Sequence, residues 1–467
     1  MVKRRSLDLG KDNIIQLIIK LCVPAVIAQI INFLYNLVDR IYVSNIAGIE
    51  MQSLSALGVV LPITSIIAAF ANLVGYGGSP LATIKYGENK KQEADYIFNN
   101  SAVLLLIFGV LIAVITFIFA GDIINLFGCP DASYVYAVNY LKIYSLGSVF
   151  VLLSLGLNPF ITAQGKALIA MISVALGALL NIALDPLFIF VFDMKVDGAA
   201  LATVISQAAS FVFIICFFFS KGALFKFDVH YLKLKWSYVY KILLLGLSPF
   251  IMQVTEAAIQ IVFNVNLKMY SLGDENYTAA MTVMLSALQV ISLPLNGLGY
   301  GIQPFISYNY GSGQVDRIKK GLKYIVIIAF IFAFITWLLS LLYPVIYTYI
   351  FNCSDIVASL VVKYTPIFLM GTIMFFAQMT LQNVNIALNE AKVSIFLALF
   401  RKVILLIPLC FILSYFFGVQ GVFYSEGIAD LVAGTVTMTV IFIRIPRLLK
   451  RRVEQIKKEH EALIDIH

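Results

Sequence analysis

The chain contains about a dozen apolar stretches long enough to cross a bilayer, which takes ~20 predominantly apolar residues each. Inside hydrocarbon every backbone N–H and C=O must find a partner within the protein, so only helices or a closed barrel can span. Barrel strands are ~10 residues long and alternate in polarity. Runs such as residues 102–120 are too long and too uniformly apolar for that. Composition agrees: 61% of the 467 residues are hydrophobic and only 12% are charged, about half the charged share of a soluble domain. The expected fold is therefore an all-α polytopic membrane protein.

Several function classes drop out. Lys3, Arg4 and Arg5 precede the first apolar run, but that run continues for a full span and no small-residue cleavage pattern follows, so a cleaved leader is not expected. Cys22, Cys129, Cys216, Cys353 and Cys410 lack metal-ligand spacing, and His230, His460 and His467 lie in polar segments. A membrane-bound metalloenzyme needs His and acid residues clustered at one depth, so no enzymatic activity and no cofactor are expected. The net charge of +8 follows membrane topology and does not point to nucleic acid. Spans are expected near 14–40, 54–82, 98–120, 134–162, 168–192, 199–220, 242–270, 278–306, 324–350, 357–387, 394–416 and 422–443. An even number returns both termini to one side. That side gathers most of the basic residues, from Lys3, Arg4, Arg5 and Lys11 through Lys85, Lys90, Lys91, Lys226, Lys233, Lys235, Arg317 and Lys319 to Arg444, Arg447, Lys450, Arg451 and Lys458. Positive loops stay inside, which makes this a plasma-membrane protein with both termini cytoplasmic. The basic tail is placed to touch anionic lipid.

The sequence also repeats itself once. Gly75-Tyr76-Gly77 returns as Gly299-Tyr300-Gly301, and Tyr86-Gly87 as Tyr310-Gly311. Cys129-Pro130-Asp131 returns as Cys353-Ser354-Asp355, Tyr140 and Gly147 as Tyr364 and Gly371, and Val196-Asp197-Gly198 as Val419-Gln420-Gly421. One spacing of about 224 residues relates nearly all of these, the mark of a duplicated unit. Six spans per repeat give both halves the same orientation, related by a pseudo-twofold axis along the membrane normal. The expected organisation is a six-helix bundle over 1–225, a cytoplasmic linker over 226–241, a second six-helix bundle over 242–450, and a basic tail over 451–467. Two such bundles enclose a central cleft, and rocking them exposes it alternately to each side. Both bundles lie in one chain, so a monomer is expected. Cys129 and Cys353 occupy equivalent loops and read as structural, with a disulfide between them as one option.

Ionisable groups within spans cost ~2.5–3.5 kcal/mol on insertion scales and are functional candidates by default. Five acids qualify: Asp39, Asp185, Glu256, Glu426 and Asp430. On the first span Gln29, Asn32, Asn36 and Asp39 form one polar stripe, with Tyr35 a turn before Asp39. On the fifth, Asn181 and Asp185 share a face, and Pro186 frees the carbonyl of Ile182. A carboxylate, an amide oxygen and a loose carbonyl suit a hard cation such as Na⁺ at Asp39, Asn181 and Asp185, and the same carboxylate could hold a proton. Thr203 and Gln207 on the sixth span, and Tyr140 and Asn158 on the fourth, add oxygens that also serve helix packing. The second repeat has lost the counterparts of Asp39, Asn181 and Asp185. Its own stripe is Gln253, Glu256, Gln260 and Asn264. Glu256 has two readings: attraction of a cationic substrate or proton, or pairing with Arg401 or Lys402. Glu426 and Asp430 read as partners of a buried base. The many Phe, Tyr and Met side chains offer surface for flat hydrophobic cations.

The strings Asn36-Leu37-Val38-Asp39, Gly75-Tyr76-Gly77 with Tyr86-Gly87, and Asn181-Ile182-Ala183-Leu184-Asp185-Pro186 followed by Asp197-Gly198-Ala199-Ala200 resemble multidrug and toxic compound extrusion (MATE) transporters, nearest a MepA-like bacterial branch. The resemblance spans nearly the whole chain. It implies that Asp39 and Asp185 bind Na⁺ or H⁺, that Tyr140, Asn158, Asn181 and Thr203 complete their network, and that the first helix bends as the cation binds. It further implies antiport: hydrophobic, often cationic drugs or dyes leave as Na⁺ or H⁺ enters. The sequence departs from some relatives at Tyr300, where they carry a glutamate that recognises cationic drugs. That shifts substrate recognition toward Glu256, with Gln253, Gln260, Tyr35, Asn36 and Tyr300 as further cleft candidates. Two alternatives remain at this point: a lipid-linked saccharide flippase of the same superfamily, which needs a basic cleft, and a major-facilitator-type transporter, whose loop signature is missing after the second span.

Overall fold

A computed structural model describes residues 7–464, apart from 273 and 352. Lys3, Arg4, Arg5 and His467 lie outside the described residues, as does the side chain of His460. Twelve helical segments among the described residues are long and apolar enough to cross a membrane. The helices are α1 (Ile14–Ser44), α2 (Glu50–Gly87), α3 (Lys91–Ile118), a short α4 (Ala120–Leu126), α5 (Asp131–Ala163), α6 (Ala167–Pro186) and α7 (Lys195–Phe219). They continue with α8 (Trp236–Tyr270), α9 (Glu275–Gly311), α10 (Val315–Leu342), a short α11 (Val345–Ile350), α12 (Asp355–Phe368), α13 (Gln382–Ala387), α14 (Ala391–Leu399), α15 (Ile407–Phe417) and α16 (Val419–Ile464). No strand occurs among the described residues. This is a multi-pass membrane protein. Leu106, Val110, Leu111, Val114 and Ile118 along α3 are exposed, as lipid-facing positions must be.

Most helices run several residues past the expected spans, because hydropathy registers only the hydrocarbon depth and helices continue into the interface. The ninth span is a correction in the other direction. It was expected to reach residue 350 but stops at Leu342, since Tyr343 precedes Pro344 and the residue before proline is pushed out of helical geometry. Three spans carry wide π turns: Leu187–Val191 after α6, Phe376–Leu381 before α13, and Phe400–Leu406 between α14 and α15. Such turns are rare and recur at functional sites.

The chain divides into two compact units. One comprises Ile27–Gln253; the other takes Asp8–Val26 and continues from Val254 through α16. The division falls inside α1 and α8, shortly after Pro24 and Pro249, and not in the segment 226–241. Glycines explain it. In the first unit, a side chain at Gly77 of α2 would strike the backbone of Ile242 and Gly246 in the opening half of α8. In the second, a side chain at Gly301 of α9 would strike the backbone of Cys22 in the opening half of α1, as Gly297 would meet Val26. Gly77 and Gly301 are repeat partners. Each repeat thus receives half of the other's opening helix, seated where the missing Cβ permits backbone contact.

The segment expected as a linker is pinned to the first unit. Asn99 donates to the Lys226 carbonyl at 2.9 Å and accepts from Asp228 N–H at 3.2 Å. Asn100 donates to the Tyr231 carbonyl at 3.0 Å and accepts from Lys235 N–H at 2.8 Å. Phe98, Phe160, Phe218, Phe225 and Phe227 stack into one aromatic cluster beneath it. All five cysteines are free, so the disulfide considered for Cys129 and Cys353 is absent. The Cys129 sulfur instead faces the Pro130 carbonyl at 3.6 Å. Burial and the nearby Asp131 carboxylate raise that thiol above its usual range, which keeps it in the unreactive form.

Candidate cation-exchange site

In the first unit α5, α6 and α7 pack on one another, and the later half of α1 carries Asp39. Asp39, Tyr140, Asn181, Asp185 and Thr203 are each no more than 5% exposed. Asn181 sits one helical turn before Asp185, so its amide reaches both that carboxylate, at 3.2 Å, and the Thr203 hydroxyl on α7, at 3.4 Å. Tyr140 lies against Thr203 and within electrostatic reach of Asp39. Tyr140 stacks on Tyr144 with ring centroids 6.4 Å apart. The Asp39 charge reaches Asp185, both carboxylates lie within electrostatic reach of Tyr35, and Asp39 itself feels the neighbouring Arg40.

What is missing matters as much. Among the described residues neither aspartate has a basic side chain in ion-pair contact. Three buried oxygens have no protein partner: Asp39 Oδ1, Asn181 Oδ1 and Asp185 Oδ2. A buried charge left so is costly unless something else takes the lone pairs. Hard cations accept carboxylate and amide oxygens, and a proton on either carboxyl would serve as well. The donor set therefore fits Na⁺ or H⁺ as cargo.

Asn158 stands apart from this group. Its amide donates to the Ala170 carbonyl at 2.9 Å and to Ser173 Oγ at 2.7 Å, tying α5 to the start of α6. Gln207 accepts from Ser154 Oγ at 2.6 Å. Asn36 is exposed and bonds the Asn32 carbonyl of its own helix at 2.7 Å. Gln253 belongs to the first unit, where it holds Asn72 and, at 3.0 Å, the Ser65 carbonyl of α2. Gln260 is exposed and Tyr300 half-buried. Tyr144, four residues beyond Tyr140, was the member of the group that the sequence reading missed; that i, i+4 spacing was the available signal.

The second unit contains a different arrangement of acids. Arg401 and Lys402 both turn inward from the π turn Phe400–Leu406 and are buried. Arg401 Nε donates to Asp430 Oδ1 at 2.6 Å and its Nη2 to Glu426 Oε1 at 3.3 Å. The guanidinium also lies over the Phe375 ring, 5.5 Å from its centroid. Lys402 pairs with Glu256 of α8. Gln378 donates to the Asp430 carbonyl.

A family model described as MatE matches residues 24–187 and again 249–412, so one model fits each repeat and begins at Pro24 and Pro249. The Multidrug export protein MepA of Staphylococcus haemolyticus (strain JCSC1435) is 29% identical over 455 residues, covering 96% of this chain and 98% of its own. An outward-facing multidrug resistance MATE family transporter of the MOP superfamily superposes with a TM-score of 0.88 at 23% identity, over 95% of this chain and 99% of its own. A MOP superfamily transporter from Pyrococcus furiosus Vc1, whose binding pocket has reversed polarity suggesting a different function, does so with 0.87 at 23% identity, over 95% and 99%. These structural likenesses speak to fold alone. The matched model covers most of both repeats, and the chain belongs to the MatE family.

Proposed function

We propose that the chain is a secondary antiporter that exports hydrophobic, often cationic compounds in exchange for inward-moving Na⁺ or H⁺. The observation that carries this reading is two buried aspartates with no ion-pair partner among the described residues: Asp185, bonded to the Asn181 amide that also reaches Thr203, and Asp39, whose charge reaches Asp185. Relatives described as Multidrug export protein MepA supply the substrate class. The coupling cation loads on the two carboxylates from outside and is released inside, where substrate binds before the carrier changes access again. Both termini face the cytoplasm, as the basic loops require, and the chain works as a monomer. The saccharide-flippase alternative loses its support, since Arg401 and Lys402, the buried bases it would need, are both committed to acids.

The test is efflux of a fluorescent cationic dye from proteoliposomes under an imposed Na⁺ or H⁺ gradient. One gradient should drive efflux in the wild type, and Asp185→Asn should uncouple it. Undiminished gradient-driven efflux in that variant would refute the assignment.

A further inference from the structure

The two repeats carry their buried acids at different positions of the shared scaffold. Carrying the register of Val196–Gly198 onto Val419–Gly421 sets Thr203 on Glu426 and Gln207 on Asp430. The second unit thus holds a buried carboxylate pair where the first has a hydroxyl and an amide. Its cation is resident: Arg401. The charges do not balance, however. Arg401 offers one positive charge to two carboxylates, and each carboxylate keeps one buried oxygen, Glu426 Oε2 and Asp430 Oδ2, without a partner. The remaining titratable groups nearby are Lys402, one residue along the π turn, and Cys410 of α15. Lys402 is engaged elsewhere, with Glu256, whose side chain is 61% exposed while that of Lys402 is 4% exposed.

We propose that Lys402 is a switch between Glu256 and the Glu426–Asp430 pair, and that this switch exchanges one proton for one cationic substrate. In the substrate-free state Lys402 neutralises Glu256, while Arg401 and one proton shared by Glu426 and Asp430 neutralise that pair. A cationic substrate reaching the exposed Glu256 carboxylate frees the lysine. Lys402 then supplies the missing positive charge to Glu426 and Asp430, and their proton leaves to water. Each state is electroneutral: one proton departs for each cation bound, and no charge is stranded in the low-dielectric interior, where an unpaired ion is most costly. The π turn matters because it directs two consecutive side chains into the bundle, so that one can stay fixed on the acids while the other moves. This rests on the cationic-substrate reading above. It adds a second exchange site that does not involve Asp39 or Asp185.

The test uses purified full-length protein in weakly buffered detergent solution with a pH-indicator dye. Tetraphenylphosphonium is the probe, and its binding is measured in parallel by equilibrium dialysis. Wild type should release about one proton per cation bound, by linkage, and Asn158→Ala, whose amide serves Ala170 and Ser173 outside both acid clusters, should still do so. Lys402→Gln and Glu426→Gln should bind the probe but release almost none. Release that persists in Lys402→Gln overturns the switch, as does probe binding to wild type without release. Release lost in Asp185→Asn but kept in Lys402→Gln would place the exchange at the first-unit aspartates, sinking the switch and leaving the antiporter reading intact. Absence of probe binding to wild type would sink the cationic-substrate reading and the switch together.

Discussion

Two acid clusters occupy the two repeats, and they differ in whether a base came with them. In the first unit Asp39 and Asp185 are buried beside amides, hydroxyls and tyrosines, with no ion-pair partner among the described residues. In the second, Glu426 and Asp430 are equally buried but hold Arg401 between them. A carboxylate that lacks a fixed counter-charge must borrow one, so it can load and unload. Two carboxylates that share one tethered guanidinium are held in place, and only the proton they share is left to exchange. Duplication supplied the same scaffold twice, and the placement of one arginine separates a site that must borrow its cation from one that keeps a resident cation.

That contrast can be broken in several ways. The largest effect is expected from Asp185→Asn, which should lower gradient-driven dye efflux at least about tenfold, a barrier change of ~1.4 kcal/mol or more, while leaving thermal stability in detergent nearly unchanged. Arg401→Met should do the reverse at the level of folding. Stranding two buried carboxylates costs about 3–5 kcal/mol, read as a lowered unfolding midpoint. Adding Glu426→Gln and Asp430→Asn to that variant should restore most of the loss. Should Arg401→Met prove as stable as wild type, the second cluster is not anchored as described. Gly77→Val and Gly301→Val test the shared scaffold. Both should destabilise by about 1–3 kcal/mol through overpacking, and a cost at only one of them would show that the two seats are not equivalent. Asn158→Ala should have the smallest effect on coupling, within about twofold on efflux, because its amide serves Ala170 and Ser173 and not the aspartates; that is well below the ~1.4 kcal/mol that a tenfold change represents. A loss comparable to that of Asp185→Asn would bring Asn158 back into the exchange network.

Much of this was legible in the sequence because the bilayer demands simple things. Long apolar runs require helices, and an acid inside one is conspicuous. Asn181 and Asp185 were found by helical spacing alone, and the repeat was found in glycines and turn residues that a duplicated backbone needs twice. The rest depends on contacts between distant segments. Nothing local marks Phe400–Leu406 as a π turn or says that it aims both Arg401 and Lys402 inward, so Glu256 remained ambiguous. The division of each unit within α1 and α8 depends on which helix backbone fills the gap at Gly77 or Gly301, a tertiary choice. Asn99 and Asn100 read as ordinary polar residues at a helix start; only the folded chain shows them gripping residues 226–235. Asn158 was assigned by resemblance to the aspartate network, whereas its nearest oxygens belong to the start of α6.

The claim at the centre is that the first-unit aspartates carry an exchangeable cation. Infrared difference spectroscopy of the purified protein reads it directly, through the carboxyl C=O band as pH is raised or Na⁺ is added. The expected result is a protonated-carboxyl band that titrates in the wild type and loses its aspartate component in the Asp39→Asn and Asp185→Asn variants, while the component from Glu426 and Asp430 stays. The same titrating band, undiminished in both variants, would contradict it.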